Sequence, residues 1–301
     1  MAATRGKFSP LLAPGLMTIY FRYLKIHMNE YQSWINDKKS KRAYEDDYEV
    51  AGLGQMIQKG EGAPFTFDDP LGSSTLRYTH LTYGLGFRIT QEMMEDDLYG
   101  IMNRMTEELA KSASYNKDVQ AASVLNNAFD SSFTGIDGVE LCSRAHTQLG
   151  GGSNQANEPA VDVDLALASL QAGIEEFEGW LDNRGFKVDI SPEWLCHNTG
   201  DIWNAGELLE SEFIPTSADN AKNIVRSKYG IKPKYLKHLS DADAWFLLAS
   251  KGDHAMKMYI RIGDQFRNDD DPFNGDALMT GRHRLSVGHS RWEGVYGSKG
   301  A

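Results

Sequence analysis

Between Thr90 and Phe129 the chain carries no proline, and an apolar residue returns every three or four positions: Met94, Leu98, Ile101, Met105, Leu109 and Ala113. That spacing is one stripe of an amphipathic helix. Thr90 suits the N-cap. Glu92, Glu95, Asp96 and Asp97 then put negative charge beside the positive end of the helix dipole. The stripe fades over Ser114–Asp118 and resumes with Ala122, Leu125 and Phe129, which leaves open whether the helix runs on unbroken. A continuous helix would be ~58 Å long. Such a rod needs flat structure laid along it, or neighbouring subunits; a long core helix of an ordinary enzyme is the plain alternative. Gly100 falls inside the stretch, where glycine costs about 1 kcal/mol relative to alanine. It marks either a place to bend or a close approach of another backbone.

A chain of 301 residues has room for one large domain or two smaller ones around a real core. A net charge of −11 argues against a protein built to grip nucleic-acid phosphates, which needs clustered Lys and Arg. Cys142 and Cys196 stand far apart and form no CxxC pair, which fits a reducing compartment. Arg5 and Lys7 precede an apolar stretch, but Pro10 and Pro14 break it and no small-residue cleavage site follows. No run approaches the ~18 apolar residues of a membrane span. The expectation is a soluble protein, cytoplasmic when made, with no membrane partner.

Residues 1–50 read as an arm. Leu16–Ile35 is aromatic-rich and predicted helical, and Lys38, Lys39, Lys41 and Arg42 give way to Glu45, Asp46, Asp47 and Glu49. Such a charge run is a solvated surface or, with its change of sign, a complementary contact with another copy. From Gly52 to Arg88 glycine is frequent and helical periodicity is absent. Phe65 and Phe67 alternate with polar residues, as do Leu81, Tyr83, Leu85, Phe87 and Ile89. Asp68–Ser74 supplies turn chemistry between them, so the segment reads as one long β-hairpin entering the long helix. Two strands alone are marginal in water; this hairpin must lie on something.

Further on, Gly150–Gly152 marks a connection, and Asp162 or Asp164 caps a helix through Leu167, Leu170, Ile174, Phe177 and Leu181, closed by Gly185. A short strand over Phe186–Ile190 and a helix over residues 200–211 follow. Lys234–Leu239, Trp245–Ala249, Met256–Ile262, Arg284–Gly288 and Trp292–Tyr296 read as strands. Strands and helices alternate without regular βαβ spacing, which favours α+β over a doubly wound sheet.

Local chemistry is sparse. Gly84-Leu85-Gly86 lacks the third glycine of a dinucleotide turn, and no phosphate-binding G-x-x-x-x-G-K occurs. His283 and His289 match no common ligand spacing. Counted from Asp269 as a calcium loop, Asn268–Asp271 would put Phe273 and Thr280 at ligand positions. There is no G-x-S-x-G elbow, and neither cysteine sits in a nucleophile setting. No catalytic, cofactor-binding or metal residue is assigned. A hydrolase using dispersed His and Asp stays open, because triads are spatial.

The order of arm, glycine-rich hairpin, long helix and α+β half resembles the major capsid protein of tailed bacteriophages. TYGLGFRITQEMMEDDLYG (82–100) is similar to the junction where that family's extended loop enters its spine helix. Gly135-Ile-Asp-Gly-Val-Glu-Leu-Cys-Ser-Arg-Ala-His146 resembles its G-x-D-G-x-x-L-x-S-x-x-H segment, and Leu239–Leu247 its L-[ST]-D-x-x-x-W-x-L turn and strand. Arg291–Gly297 resembles its last strand. The resemblance covers about residue 50 to the end and rests on order and spacing.

It implies an N-terminal arm (1–50), an extended hairpin loop (51–88), a peripheral domain with the spine helix (89–160), an axial domain (161–274) and closing peripheral strands (275–301). It further implies self-assembly as hexamers and pentamers into an icosahedral shell around double-stranded DNA bound without sequence preference. Scaffold, portal and decoration proteins would be partners. The scaffold is expected as a separate chain, because no long scaffold-like segment precedes the arm. A nanocompartment shell enclosing other cargo is the alternative within the fold. Phe65, Phe67, Leu76, Arg77 and Tyr78 are the expected inter-subunit contacts, Asp68 and Asp69 lie at their rim, and Gly100 is the expected bend. Some members of the family join subunits covalently through a hairpin lysine and a neighbour's asparagine. Gly60–Arg88 contains no lysine, and Lys59 is expected at the hairpin base, so non-covalent closure is predicted.

Overall fold

The computed structural model describes residues 9–27, 29–90, 92–93, 96, 100–214, 222–271 and 274–301. Asn36–Lys39 (β1), Leu81–Ile89 (β4), Met256–Asp270 (β8) and Ala277–His289 (β9) form a sheet of order β1-β8-β9-β4. β1 lies parallel to β8 and the other neighbours are antiparallel. Pro192–His197 (β5), Lys232–Tyr235 (β6), Trp245–Ala249 (β7) and Val295–Ser298 (β10) form a second sheet of order β10-β7-β5-β6. Tyr44–Ala51 (β2) and Leu71–Thr79 (β3) make an antiparallel hairpin of their own. The helices are Ser9–Ile26 (α1), Ile101–Asn126 (α2), Leu167–Gly179 (α3) and Ile202–Glu210 (α4). This is the expected mixed α+β architecture. None of the described helices is long and apolar enough to cross a membrane.

α2 runs unbroken across Ser114–Asp118. The stripe fades there because the buried face turns polar and finds polar partners. Lys117 Nζ donates to Asp264 Oδ2 at 2.8 Å, Asn116 Oδ1 lies 2.9 Å from His283 Nε2, and Asp118 Oδ1 accepts from the Tyr31 amide at 3.1 Å. The start of the helix differs from the expectation. Thr90 Oγ1 does accept from the Met93 amide at 3.3 Å, opening a helical turn. Gly100, however, is the N-cap of α2, with φ of 67° in the left-handed region, so it precedes the helix instead of lying inside it. Met94 and Leu98 lie outside the described residues.

Two further elements depart from the sequence reading. The hairpin pairs β2 with β3, so the carboxylate-rich end of the presumed arm is one of its strands. Residues 52–70 form its connecting loop, without strand, and β4 joins β9. Among the described residues the Phe65–Phe67 alternation has no strand partner, and it forms no strand here. After α3, which ends at Gly179, Asp182 Oδ1 accepts from the Arg184 and Phe186 amides at 2.8 Å each. That side chain holds 182–186 as a turn with Gly185 at φ 82°, where a strand and a helix cap were expected.

Three cores result. Tyr31, Trp34 and Ile35 pack with Leu125, Phe246, Leu248 and Leu285, so much of the presumed arm is core of its own subunit, and the predicted helix stops at Ile26. Leu170, Ile174 and Phe177 of α3 pack with Leu208, Trp245, Leu247 and Tyr296. Tyr20, Leu109, Phe266 and Met279 form the third. β7 alternates between the first two: Phe246 and Leu248 face one, Trp245, Leu247 and Ala249 the other. The sheets also cross the expected division at 274, since β8 belongs with β9 and the terminal β10 pairs with β7.

Candidate assembly surface

The hairpin is fixed to the body by its carboxylates and released from it at its loop. Asp47 accepts hydrogen bonds from Lys257 Nζ and Ser290 Oγ, and from Tyr259 Oη at 3.1 Å. Burial alone would push its carboxyl up; these three donors hold it below the usual range. Glu49 accepts from Asn183 Nδ2 at 3.0 Å and lies 3.8 Å from Arg291. Burial, then repulsion from Glu293 and Asp137, outweigh Arg291 and Asn183 and push Glu49 up to about 7. Gly72 leaves room for the Tyr48 ring to lie across β3: a Cβ there would meet the Tyr48 hydroxyl, and the exposed ring would have to swing aside.

Arg184, in the Asp182 turn, clamps both ends of the loop. Its Nε donates to Gly52 O at 2.7 Å, its Nη2 donates to Asp69 O, and it lies 3.6 Å from Asp68. Asp68 also accepts from the Gly54 amide at 2.7 Å. Beyond this clamp the loop is apolar and uncovered: Met56 is 97% exposed, Phe67 92% and Phe65 73%, with Leu53 and Ile57 also exposed. An unpartnered cluster of this kind marks a surface for another protein.

The expected contact residues divide. Phe65 and Phe67 stand free on the loop. Leu76 is half-buried. Arg77 is exposed but bidentate to Asp46 on the opposing strand, at 2.8 and 2.9 Å, and stacked over Tyr44. Tyr78 is only 5% exposed; its hydroxyl lies 2.9 Å from Ser290 Oγ and its ring packs on Tyr259. Strand alternation turns it into its own subunit, so it offers no face to a neighbour. Lys59 lies out in the loop, 4.5 Å from the centre of the Phe65 ring, and not at the hairpin base. The ground for non-covalent closure therefore narrows to the absence of lysine from Gly60–Arg88, with Lys59 as the one loop lysine to test. Arg184 was not found from the sequence, because nothing local marks a turn arginine as a partner of a loop 115 residues away.

Two of the short motifs of the sequence meet in one place. His146 Nδ1 lies 2.6 Å from Asp137 Oδ2, its Nε2 lies 3.1 Å from Asn157 Oδ1, and its ring stacks on Trp292 at 4.6 Å. The Asp and His of one motif thus join the Trp of another as internal ties. Among the described residues no cluster of His, Cys, Asp or Glu is arranged to hold a metal ion. Both cysteines are buried, and burial pushes their thiols up, which makes them poor nucleophiles.

A body of stacked cores presenting one apolar loop through a charged clamp is a subunit made to build a larger structure. The model of a family described as phage capsid protein matches residues 73–298, and the chain belongs to that family. It is a structural shell protein. The fold is shared with solved capsids at low identity. The capsid of cyanophage P-SCSP1u has a TM-score of 0.62 at 8% identity, covering 91% of this chain and 88% of that one. Mycobacterium phage Che8 gives 0.57 at 13%, covering 91% and 93%. The capsid of a native GTA particle gives 0.59 at 10%, covering 89% and 88%. No curated protein matches the chain in sequence.

Proposed function

We propose that this protein assembles with itself, as hexamers and pentamers, into the icosahedral head shell of a tailed bacteriophage, and that the shell encloses double-stranded DNA. It does so as a structural protein, without catalysis. The observation that carries the reading is the loop 52–70, whose exposed Phe65 and Phe67 join none of the three cores and so have no apolar partner among the described residues. A closed shell supplies one by symmetry, repeating each modest contact over every subunit. The net charge of −11 suits a container whose contents must move without sticking. Scaffold, portal and decoration proteins are the partners such a shell takes, and the virion is its place. Gly100 would be where the segment before α2 changes direction as shells mature.

Negative-stain imaging of the protein, expressed with its scaffold partner, tests this. Spherical particles tens of nanometres across are the expected result. A monodisperse monomer in the presence of the scaffold would end the reading. Recovery of an enzyme instead of DNA from the particles would turn it towards a cargo compartment.

A further inference from the structure

The edges of the two four-stranded sheets are not treated alike. β1 is four residues long and carries Lys38 and Lys39. β6 is four residues long and reads Lys-Pro-Lys-Tyr. β10 is buried, and Asn157 covers its outer side: its Nδ2 donates to Val295 O at 2.9 Å and its carbonyl accepts from the Gly297 amide at 3.0 Å. Short length, lysine, proline and cover are the devices by which native edges avoid pairing with other chains. Among the described residues β4 has none of them, its one charge being Arg88 near its end, beside Asp271 and Asp276. It is nine residues long, contains neither lysine nor proline, and keeps one unbroken register with β9 from Leu81 to Ile89. Gly84 and Gly86 are exposed, and for a glycine that exposure is backbone. Leu81 and Leu85 are 58% and 57% exposed. Among the described residues, no backbone group of β4 bonds to anything beyond β9.

Beside this edge lie two clefts that share Tyr83. One, of about 370 Å³, is bounded by Leu85 and by Leu109, Ala113 and Asn116 of α2. The other, of about 440 Å³, is bounded by Leu81, Gln120 and Phe133. The matching piece is in the same sequence. Among the described residues, Pro64–Phe67 make no backbone hydrogen bond, and Phe65 and Phe67 are uncovered. In an extended segment their side chains share one face ~7 Å apart, the repeat of Leu81, Tyr83 and Leu85 along β4.

We propose that β4 accepts residues 64–69 of a second copy as an added strand, with Phe65 and Phe67 turned into the clefts beside α2 and Thr66 outward. Main-chain bonds then supply affinity and the two clefts supply register, as in strand addition generally. This rests on the self-assembly reading above and gives it a donor and an acceptor.

The test is disulfide trapping, which the buried native cysteines leave clean. Thr66→Cys is combined in turn with Thr82→Cys, Gly84→Cys and Arg88→Cys on the outward face; a side chain at Gly84 meets nothing closer than 3.6 Å. Oxidised particles of one pair should give a ladder of linked chains that reductant collapses, while unassembled protein stays monomeric. A bond closed within one chain, or particles with no ladder from any pair, would overturn the proposal and leave the shell reading standing. Absence of particles from the unmodified protein would remove both. Independently, Leu85→Lys gives β4 the blunting residue its counterparts carry. At this exposed site the subunit should stay folded while particle yield falls at least roughly tenfold, an effect of ~1.4 kcal/mol. Unchanged yield would also overturn the proposal.

Discussion

β7 and the loop 52–70 use the same kinds of residue to opposite ends. Trp245, Phe246, Leu247, Leu248 and Ala249 are all buried, and their chain spends its apolar surface on itself. Leu53, Met56, Ile57, Phe65 and Phe67 are all exposed, and theirs is held for something else. Hydrophobicity alone does not distinguish the two. What does is whether polar groups pin the flanks to the body and leave the span between them outside it, as Arg184 pins Gly52 and Asp69.

The contrast is broken most forcefully at β7. Trp245→Ala should cost about 3–5 kcal/mol through the cavity it leaves, read as a fall in urea midpoint and in soluble yield. The loop should answer oppositely. Phe65→Ala with Phe67→Ala should leave subunit stability within about 0.5 kcal/mol, yet remove contacts worth about 1.5–3 kcal/mol for each ring. Sedimentation should then show intact subunits and few particles. If the double variant unfolds the subunit, the loop belongs to its own core and the comparison fails.

At Gly100 a smaller effect is expected. Alanine in the left-handed region costs about 1–2 kcal/mol, measurable by denaturation of unassembled subunits. Wild-type yields of both precursor and expanded shells from Gly100→Ala would remove its bending role.

The hairpin base offers a pH-dependent version of the comparison. Glu49 is raised from its ordinary 4.5 to about 7, so between those values the folded chain holds a proton that the unfolded chain has released. Its contribution to stability therefore falls as pH rises through that window and levels above it. Glu293 is shifted the same way by burial, while His289, lowered to about 4 by burial, works in the opposite direction below its ordinary value. The informative measurement is the difference between wild type and Glu49→Gln. Wild type should lose ground to the variant from pH 4.5 to 7 and no further.

The smallest expected effect is at Lys59. Particles boiled in detergent should run as a single band near 33.6 kDa, and Lys59→Ala should not change it. A reductant-resistant ladder that Lys59→Ala abolishes would make the loop lysine a covalent partner.

Much of this molecule was legible where one face of an element is apolar and local. Trp245–Ala249, the α3 stripe and the run of α2 past Ile101 follow from periodicity alone. The hairpin was misread because β2 is written in carboxylates, Glu45 to Glu49, whose burial depends on Lys257, Asn183 and Arg291 far along the chain. Of the expected contact residues, Phe65 and Phe67 could be read as exposed because their neighbours are mostly glycine, proline and carboxylates; their contact role is the proposal. Tyr78 could not be assigned, since strand alternation says that it faces one side but not which side is the body.

The alternation of β7 between two cores has a further meaning. A strand with no wetted face cannot slip, because a shift of one residue would exchange every side chain between the cores. Through β7 the α3 half shares packed side chains with the long β8–β9 pair, since Phe246 and Leu248 sit in one core with Met256, Met258 and Leu285. The subunit is in this sense a stiff tile, and a shell made of it should yield along its seams before any tile deforms.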